Sequence, residues 1–242
     1  TNIMPLPKIT APTYELVLPS SGRKIRYRPF LVKEEKLLII AMESEDSKQI
    51  TDAVKNVLKN CIITRGIKVD KLSTFDIEYL FLNIRGKSVG EDVEVMITCP
   101  DDGETQVPHL INLDDIKVIT DDDHNTDIKL DDKLSLKMKY PSLDEFVKNN
   151  FDMEGSMDVE DTFNLVASCI DQIYSEEESW PASESTKKEL VDFIEQLGTQ
   201  QFKEIEKFFE TMPKLSHTIK VKNPKTEVEN EIVLEGLAAF FG

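Results

Sequence analysis

The sequence has little with which to do chemistry. Its three histidines, His109, His124 and His217, sit in separate strand or loop contexts, with no His-x-x-x-His pair and no serine-centred elbow around them. Nine glycines are present, but none falls in a glycine-rich phosphate loop. Cysteine is scarce as well. Cys61, Cys99 and Cys169 form an odd, widely spaced set that suggests no disulfide framework, so reduced thiols in a cytosol-like compartment are expected. Positive charge is in deficit, with 29 Lys and Arg against 46 Asp and Glu and a net charge of −17. A duplex-binding protein needs an accessible run of cations to displace counterions, so nucleic acid is not an expected partner. No apolar run approaches the roughly 18 residues a membrane helix needs, and no signal peptide is visible. A soluble intracellular chain without a membrane partner is therefore expected. No period of 20 to 50 residues recurs, which excludes a solenoid.

What is present is a strong apolar pattern, centred on Ser73 to Leu113. A capping-box spacing, Ser73-x-x-Asp76, opens it, followed by apolar residues at Ile77, Leu80, Phe81 and Ile84 and a second stripe at Phe75, Tyr79 and Leu82. Two stripes predict a helix buried on most sides, with Gly86 as a left-handed C-terminal cap. Val93, Val95 and Ile97 then alternate as a half-buried strand, CPDDG turns the chain, and Val107, Leu110, Ile111 and Leu113 return. Pro108 cannot donate to a ladder and places the returning strand at an edge or bulge.

The prolines Pro5, Pro7 and Pro12 predict an extended arm over residues 1–13. Tyr14 to Leu18 and Ile25 to Phe30 read as a hairpin joined by PSSG, and Leu31 to Ser44 and Ser47 to Thr64 as helices, the second ended by Gly66. Ile116 to Asp132 reads as a polar, acidic stretch, and Leu134 to Met138 as a strand. Pro141 with Ser142-x-x-Glu145 marks a helix start. Asn149 to Asp158 reads as a loop and a candidate boundary. Beyond it, Asp158 to Tyr174 is amphipathic through Val159, Phe163, Val166, Ile170 and Ile173, and SEEESWPASES breaks the pattern. Helices are expected over Ser185 to Leu197 and Thr199 to Met212, then a hairpin from His217 to Val221 and Glu231 to Leu234. The expected class is α+β: short antiparallel hairpins with a helical core, and a helical C-terminal half ending in a hairpin. The expected division is an arm at 1–13, an α+β domain at 14–150 and a helical domain at 151–242. The last two read equally as one continuous domain.

Two motifs invite a metal reading. CPDDG has the outline of a zinc knuckle with Asp102 where the second thiolate stands, and the turn from Val221 to Thr226 lies where a partner knuckle would be, without a cysteine. One thiol and one carboxylate cannot close a tetrahedral site, so a plain turn is the expected reading. Asp121, Asp123, Asn125 and Asp127 fall at positions 1, 3, 5 and 7 of a calcium loop. Thr126 stands where the loop needs glycine, and Asp132 is shorter than the bidentate Glu, so a solvated loop is expected. No metal ligand, cofactor-binding residue or catalytic residue is assigned.

Surfaces are more promising. Residues 1–36 carry seven Lys or Arg against three Glu, a net of +4 on an otherwise acidic chain. Such a segment reads as ordinary surface charge, as an element that folds back on the acidic body, or as one that steers an acidic partner, for which Arg23, Lys24, Arg26 and Arg28 are the candidates, because complementary fields raise encounter rate and set register. The end of the chain, LEGLAAFFG, puts Leu237, Phe240 and Phe241 where termini usually fray. Those side chains need either the protein's own core or a partner's groove.

FDIEYLFLNIRGKSVGE with the following ITCPDDGE hairpin, and HTIKVKNP with IVLEGLAAFF, resemble the baseplate hub assembly proteins of T-even-like contractile-tailed bacteriophages. The likeness extends to the opening PLPKITAPTYELVLPSSGRKIRYRPF. Family members often carry Cys-x-x-Cys pairs at both hairpin tips. Here only Cys99 remains of the first, and Asn223-Pro224-Lys225-Thr226 stands at the second, so a zinc role does not carry over. The resemblance implies a non-enzymatic protein that helps build the baseplate hub by contacts with other hub or tail proteins. It would act in the host cytoplasm during assembly or remain in the virion. The alternatives are a metal-stabilised adaptor unrelated to phage tails and, less compatible with the motifs, a hydrolase or thiol enzyme.

Overall fold

The computed structural model describes residues 6–145, 147 and 158–240. The first five residues of the expected arm, the expected boundary loop at 149–157 and Phe241 lie outside the described residues. The fold is α+β, built from small antiparallel sheets around helices.

Strands β1 (Tyr14–Val17) and β2 (Lys24–Tyr27) form the expected first hairpin, with Tyr14 opposite Tyr27 and Val17 opposite Lys24. Gly22, at φ +68, supplies the left-handed residue its turn needs. Helices α1 (Val32–Glu43) and α2 (Ser47–Cys61) follow, the latter capped by Asp46, whose carboxylate accepts from the Lys48 amide at 2.9 Å. In α2 the stripe Ile50, Ala53, Val54, Val57, Leu58 and Cys61 is buried, one face of a helix at the expected spacing.

Helix α3 (Thr74–Val89) is the centre of this part of the molecule. Phe75, Ile77, Leu80, Phe81, Leu82 and Ile84 are all buried, so both apolar stripes face protein. Two local expectations fail. The helix runs past Gly86 to a cap at Gly90, φ +128. Gly86 is instead inside the helix, where an added Cβ would lie 3.3 Å from the Leu113 side chain, so its smallness admits the turn at Leu113–Asp115. Nor does the capping box form. Asp76 accepts from the Ser20 amide at 3.0 Å and from the Ser20 hydroxyl, tying the first hairpin's turn to the start of α3. The Ser73 hydroxyl is left buried without a partner among the described residues.

Strands β3 (Asp92–Thr98) and β4 (Gln106–Asn112) pair as a two-stranded sheet with Met96 opposite Pro108, so the proline costs no ladder bond further out. The acidic stretch expected to be loop holds two short strands, β5 (Lys117–Ile119) and β6 (Asp127–Lys129). After β7 (Ser135–Met138), helix α4 (Val159–Ser168) ends at Cys169, and Ile170–Tyr174, expected to continue the helix, is strand β8. Ile170 and Ile173 suit a helical face and an irregular strand alike. Pairing with β7 on one side and β9 (Ser179–Pro181), itself inside the expected breaker, on the other decides it. Helices α5 (Lys187–Glu195) and α6 (Thr199–Thr211) and strands β10 (Lys214–Lys222) and β11 (Glu229–Glu235) complete the chain, with β10 between β11 and β5.

Among the described residues two hydrophobic cores result. One gathers the first hairpin, α2, α3 and β3–β4 with Leu215, Ile219 and Val221 of β10 and Phe240. The other joins β6 and β7 to α4, β8, α5 and α6 through Leu136, Met138, Ile170, Ile194, Ile205 and Phe208. The chain thus leaves the first core after β5, touches it again through Leu143 and Val147, and returns to it with β10. Tyr140 lies at the junction, edge-on to Phe75 of α3 at 4.8 Å and stacked on His124 and Phe208 of the second core.

Candidate functional site

The tip of β3–β4 and the tip of β10–β11, more than 120 residues apart in sequence, meet and are tied by side chains. Asn223, fully buried, donates through Nδ2 to Asp101 at 3.0 and 3.3 Å and to Asp102 at 2.9 Å. Asp101 also accepts from the Thr226 hydroxyl at 2.5 Å and from Asn230 Nδ2 at 2.9 Å, and its own amide donates to Asn230 Oδ1 at 3.2 Å. Asp102 is held within its own turn, accepting from the amides of Glu104 and Thr105, both at 3.0 Å, and from the Thr105 hydroxyl. These bonds keep both carboxyls below the ordinary range: for Asp101 chiefly those from Thr226 and Asn223, for Asp102 chiefly those from Thr105.

The thiols are buried and the three histidines lie apart from one another. All three thiols are buried, and burial pushes Cys61 and Cys169 up to about 12. Cys99 is raised too, by burial first and then by the charges of Asp101 and Asp102. A thiol so disfavoured as thiolate is a poor nucleophile. His109 lies on β4 opposite Val95, and His217 on β10 opposite Leu234. His124 fills an aromatic slot, its ring nitrogens 2.9 Å from the Thr211 hydroxyl and 2.9 Å from the Tyr140 hydroxyl. Among the described residues no group of three or more His, Cys, Asp or Glu side chains is placed to hold a metal ion. In the acidic stretch, Asp121 and Asn125 accept from amides two residues ahead, and Asp127 begins β6 and takes the Tyr174 hydroxyl at 2.9 Å. From Asp127 to Lys129 the stretch is paired with β7 as strand and does not continue as a loop.

The four basic candidates divide by environment. Arg23 reaches the Arg65 carbonyl at 2.9 Å and Arg26 the Thr13 hydroxyl at 3.4 Å, both on exposed surface, and Lys24 is exposed beside them. Arg28 is structural. Its guanidinium pairs with Glu34, which is 1% exposed, and donates to the Pro29 carbonyl at 3.0 Å. At the other end, Phe240 is 0% exposed within the first core, so in this structure its apolar area is buried against its own chain. The side chain of Leu237, like Phe241, lies outside the described residues.

Helix α1 presents a surface that the sequence reading did not single out. Glu34 and Ala41 face inward, while Val32 (80% exposed), Ile39 (52%) and Ile40 (53%) recur at i, i+7 and i+8 on the outward side, with Met42 beside them. The apolar run LLIIAM, too hydrophobic all round for a one-sided surface helix, was the available signal. In the arm, Leu6 and Ile9 are almost fully exposed.

A family model described as T4 bacteriophage base plate protein matches residues 11–242. The chain belongs to that family. The match spans both cores, α1 and both hairpin tips, and begins after Leu6 and Ile9 of the arm. A T4-type base plate protein is a structural part of a phage tail, and its contacts are with other tail or base plate proteins. No match was found among curated proteins or among solved structures.

Proposed function

We propose that this base plate protein is a non-enzymatic component of the central hub, retained there or acting as it assembles, and that it works by docking onto a different hub protein. The observation that carries the reading is the outward face of α1. Val32, Ile39 and Ile40 offer apolar area to solvent on a regular helix, where a partner can bury it at roughly 25 cal/mol per Å². The occupant is a neutral or basic protein surface rather than a second copy, because two copies would bring −17 against −17. Arg23, Lys24 and Arg26, exposed on the first hairpin, support the reading as a local site for an acidic segment of the partner. The likeness of FDIEYLFLNIRGKSVGE and IVLEGLAAFF to hub assembly proteins supports the hub in particular.

The test is co-expression with the phage's base plate proteins. The wild-type chain should co-purify with a hub component, and Ile39→Asp with Ile40→Asp should abolish this while leaving circular dichroism and melting unchanged. Full retention of binding by the double variant removes α1 from the mechanism, and failure of the wild type to bind any base plate component removes the hub reading. Mass spectrometry of purified virions separates a retained subunit from an assembly factor.

A further inference from the structure

The two tips that meet are built alike. Cys99-Pro100-Asp101-Asp102-Gly103 and Asn223-Pro224-Lys225-Thr226-Glu227 share a proline at the second place and a left-handed fifth residue, φ +68 at Gly103 and φ +60 at Glu227. In both, the fifth amide donates to the carbonyl of the first residue, at 2.9 Å in one and 2.8 Å in the other. In both, the first residue's amide crosses the hairpin, from Cys99 to the Thr105 carbonyl at 2.8 Å and from Asn223 to the Val228 carbonyl at 2.9 Å. The first residue of each tip, Cys99 or Asn223, is fully buried. Such turns, facing each other with donors at the first and fourth places, are the arrangement of a four-ligand structural metal site.

The residues present do not fit a metal. The four places hold Cys99, Asp102, Asn223 and Thr226, one thiol with one carboxylate and two neutral groups. The Asn223 carboxamide is also oriented against an ion. Its Oδ1 accepts from the amides of Lys225 at 2.9 Å and Thr226 at 3.4 Å, which leaves Nδ2 and its hydrogens directed at Asp101 and Asp102. A cation there would meet N–H groups in place of lone pairs.

We propose that the two tips are knuckle turns whose metal position is taken by the Asn223 carboxamide, so that hydrogen bonds alone latch the C-terminal hairpin to the central one. The backbone is then a latent metal site, and thiols at Asp102, Asn223 and Thr226 beside Cys99 convert the latch into a tetrathiolate centre. The proposal is independent of which partner the protein meets.

The experiment uses the full chain. For the wild type, a chelator should leave amide exchange at both tips unchanged, and cobalt should give no tetrahedral thiolate spectrum. The triple variant Asp102→Cys, Asn223→Cys, Thr226→Cys should take up one cobalt with that spectrum and release it to a chelator. Asn223→Ala should speed exchange of the amides at both tips by roughly tenfold to a hundredfold, the loss expected when buried polar groups are left unpaired. Stoichiometric metal in the wild type, chelator-accelerated exchange, or a folded triple variant without tetrahedral cobalt each overturns the proposal. If the triple variant does not fold, Asn223→Ala decides: faster exchange at both tips supports the latch, and unchanged exchange at the central tip overturns it.

Discussion

Arg28→Ala tests how α1, and with it the outward face assigned to a partner, is held. Glu34 is 1% exposed, and its carboxylate is satisfied by the Arg28 guanidinium and by the Leu31 amide at 2.8 Å. Burial pushes this carboxyl up from its ordinary 4.5, but the Arg28 bond and then the Leu31 amide outweigh burial and leave it lowered. Removing Arg28 strands a buried charge, which costs about 3–5 kcal/mol, against the 0–1 kcal/mol of an exposed pair. For a chain of 150–250 residues that is roughly 2–4 °C in Tm per kcal/mol. The pH dependence provides the sharper check. In the wild type, with the folded pKa below 4.5, the Glu34 contribution is fully present above 4.5 and is lost as pH falls through the folded value. In the variant burial acts unopposed by Arg28, so the carboxyl takes a proton more readily and the penalty fades as pH falls. The stability difference between the two proteins should therefore grow between about pH 4 and pH 7, and Arg28→Met with Glu34→Leu should recover much of it. Urea unfolding at the two pH values measures this. A difference under about 1 kcal/mol that does not change with pH would refute the reasoning and make the pair an ordinary surface contact.

Phe240→Ala should destabilise by about 3–5 kcal/mol, because the ring is fully buried in the first core; a chain that melts as the wild type does would return the ring to the partner surface. Burial lowers the His124 pKa from 6.5, opposed by Asp121, so the folded state holds the ring neutral while the unfolded state gains a proton. Stability should fall as pH drops below 6.5, and His124→Gln should flatten that dependence in melts between pH 7 and pH 5. Gly86→Val should cost about 1–3 kcal/mol by forcing its side chain against Leu113, measured by chemical denaturation, whereas a stabilised variant would show that the approach is not tight.

Much of the candidate site was legible in single residues but not in their association. CPDDG was visible as a knuckle-like turn, and NPKT repeats its spacing, yet nothing local shows that Asn223 will sit against Asp101, 122 positions away. The outward face of α1 escaped notice for the opposite reason. Apolar residues surround that helix, and only the packing of α2 and the Arg28–Glu34 pair reveals which of them face solvent.

By itself the sequence determined the elements whose signal is short-range: the hairpin at β1–β2, the buried stripes of α2 and α3, the helices α5 and α6, and the strands on either side of CPDDG and NPKTEVEN. Periodicity over two or more helical turns, and turn residues at a hairpin, depend only on near neighbours. Tertiary structure alone decided that Ile170–Tyr174 is strand rather than helix and that Asp76 binds Ser20 rather than capping its own helix. It also decided that β10 returns to the first core and that the two tips close on each other. Each of those outcomes turns on a partner distant in sequence, and a stretch of five residues or one carboxylate fits either environment until that partner is in place.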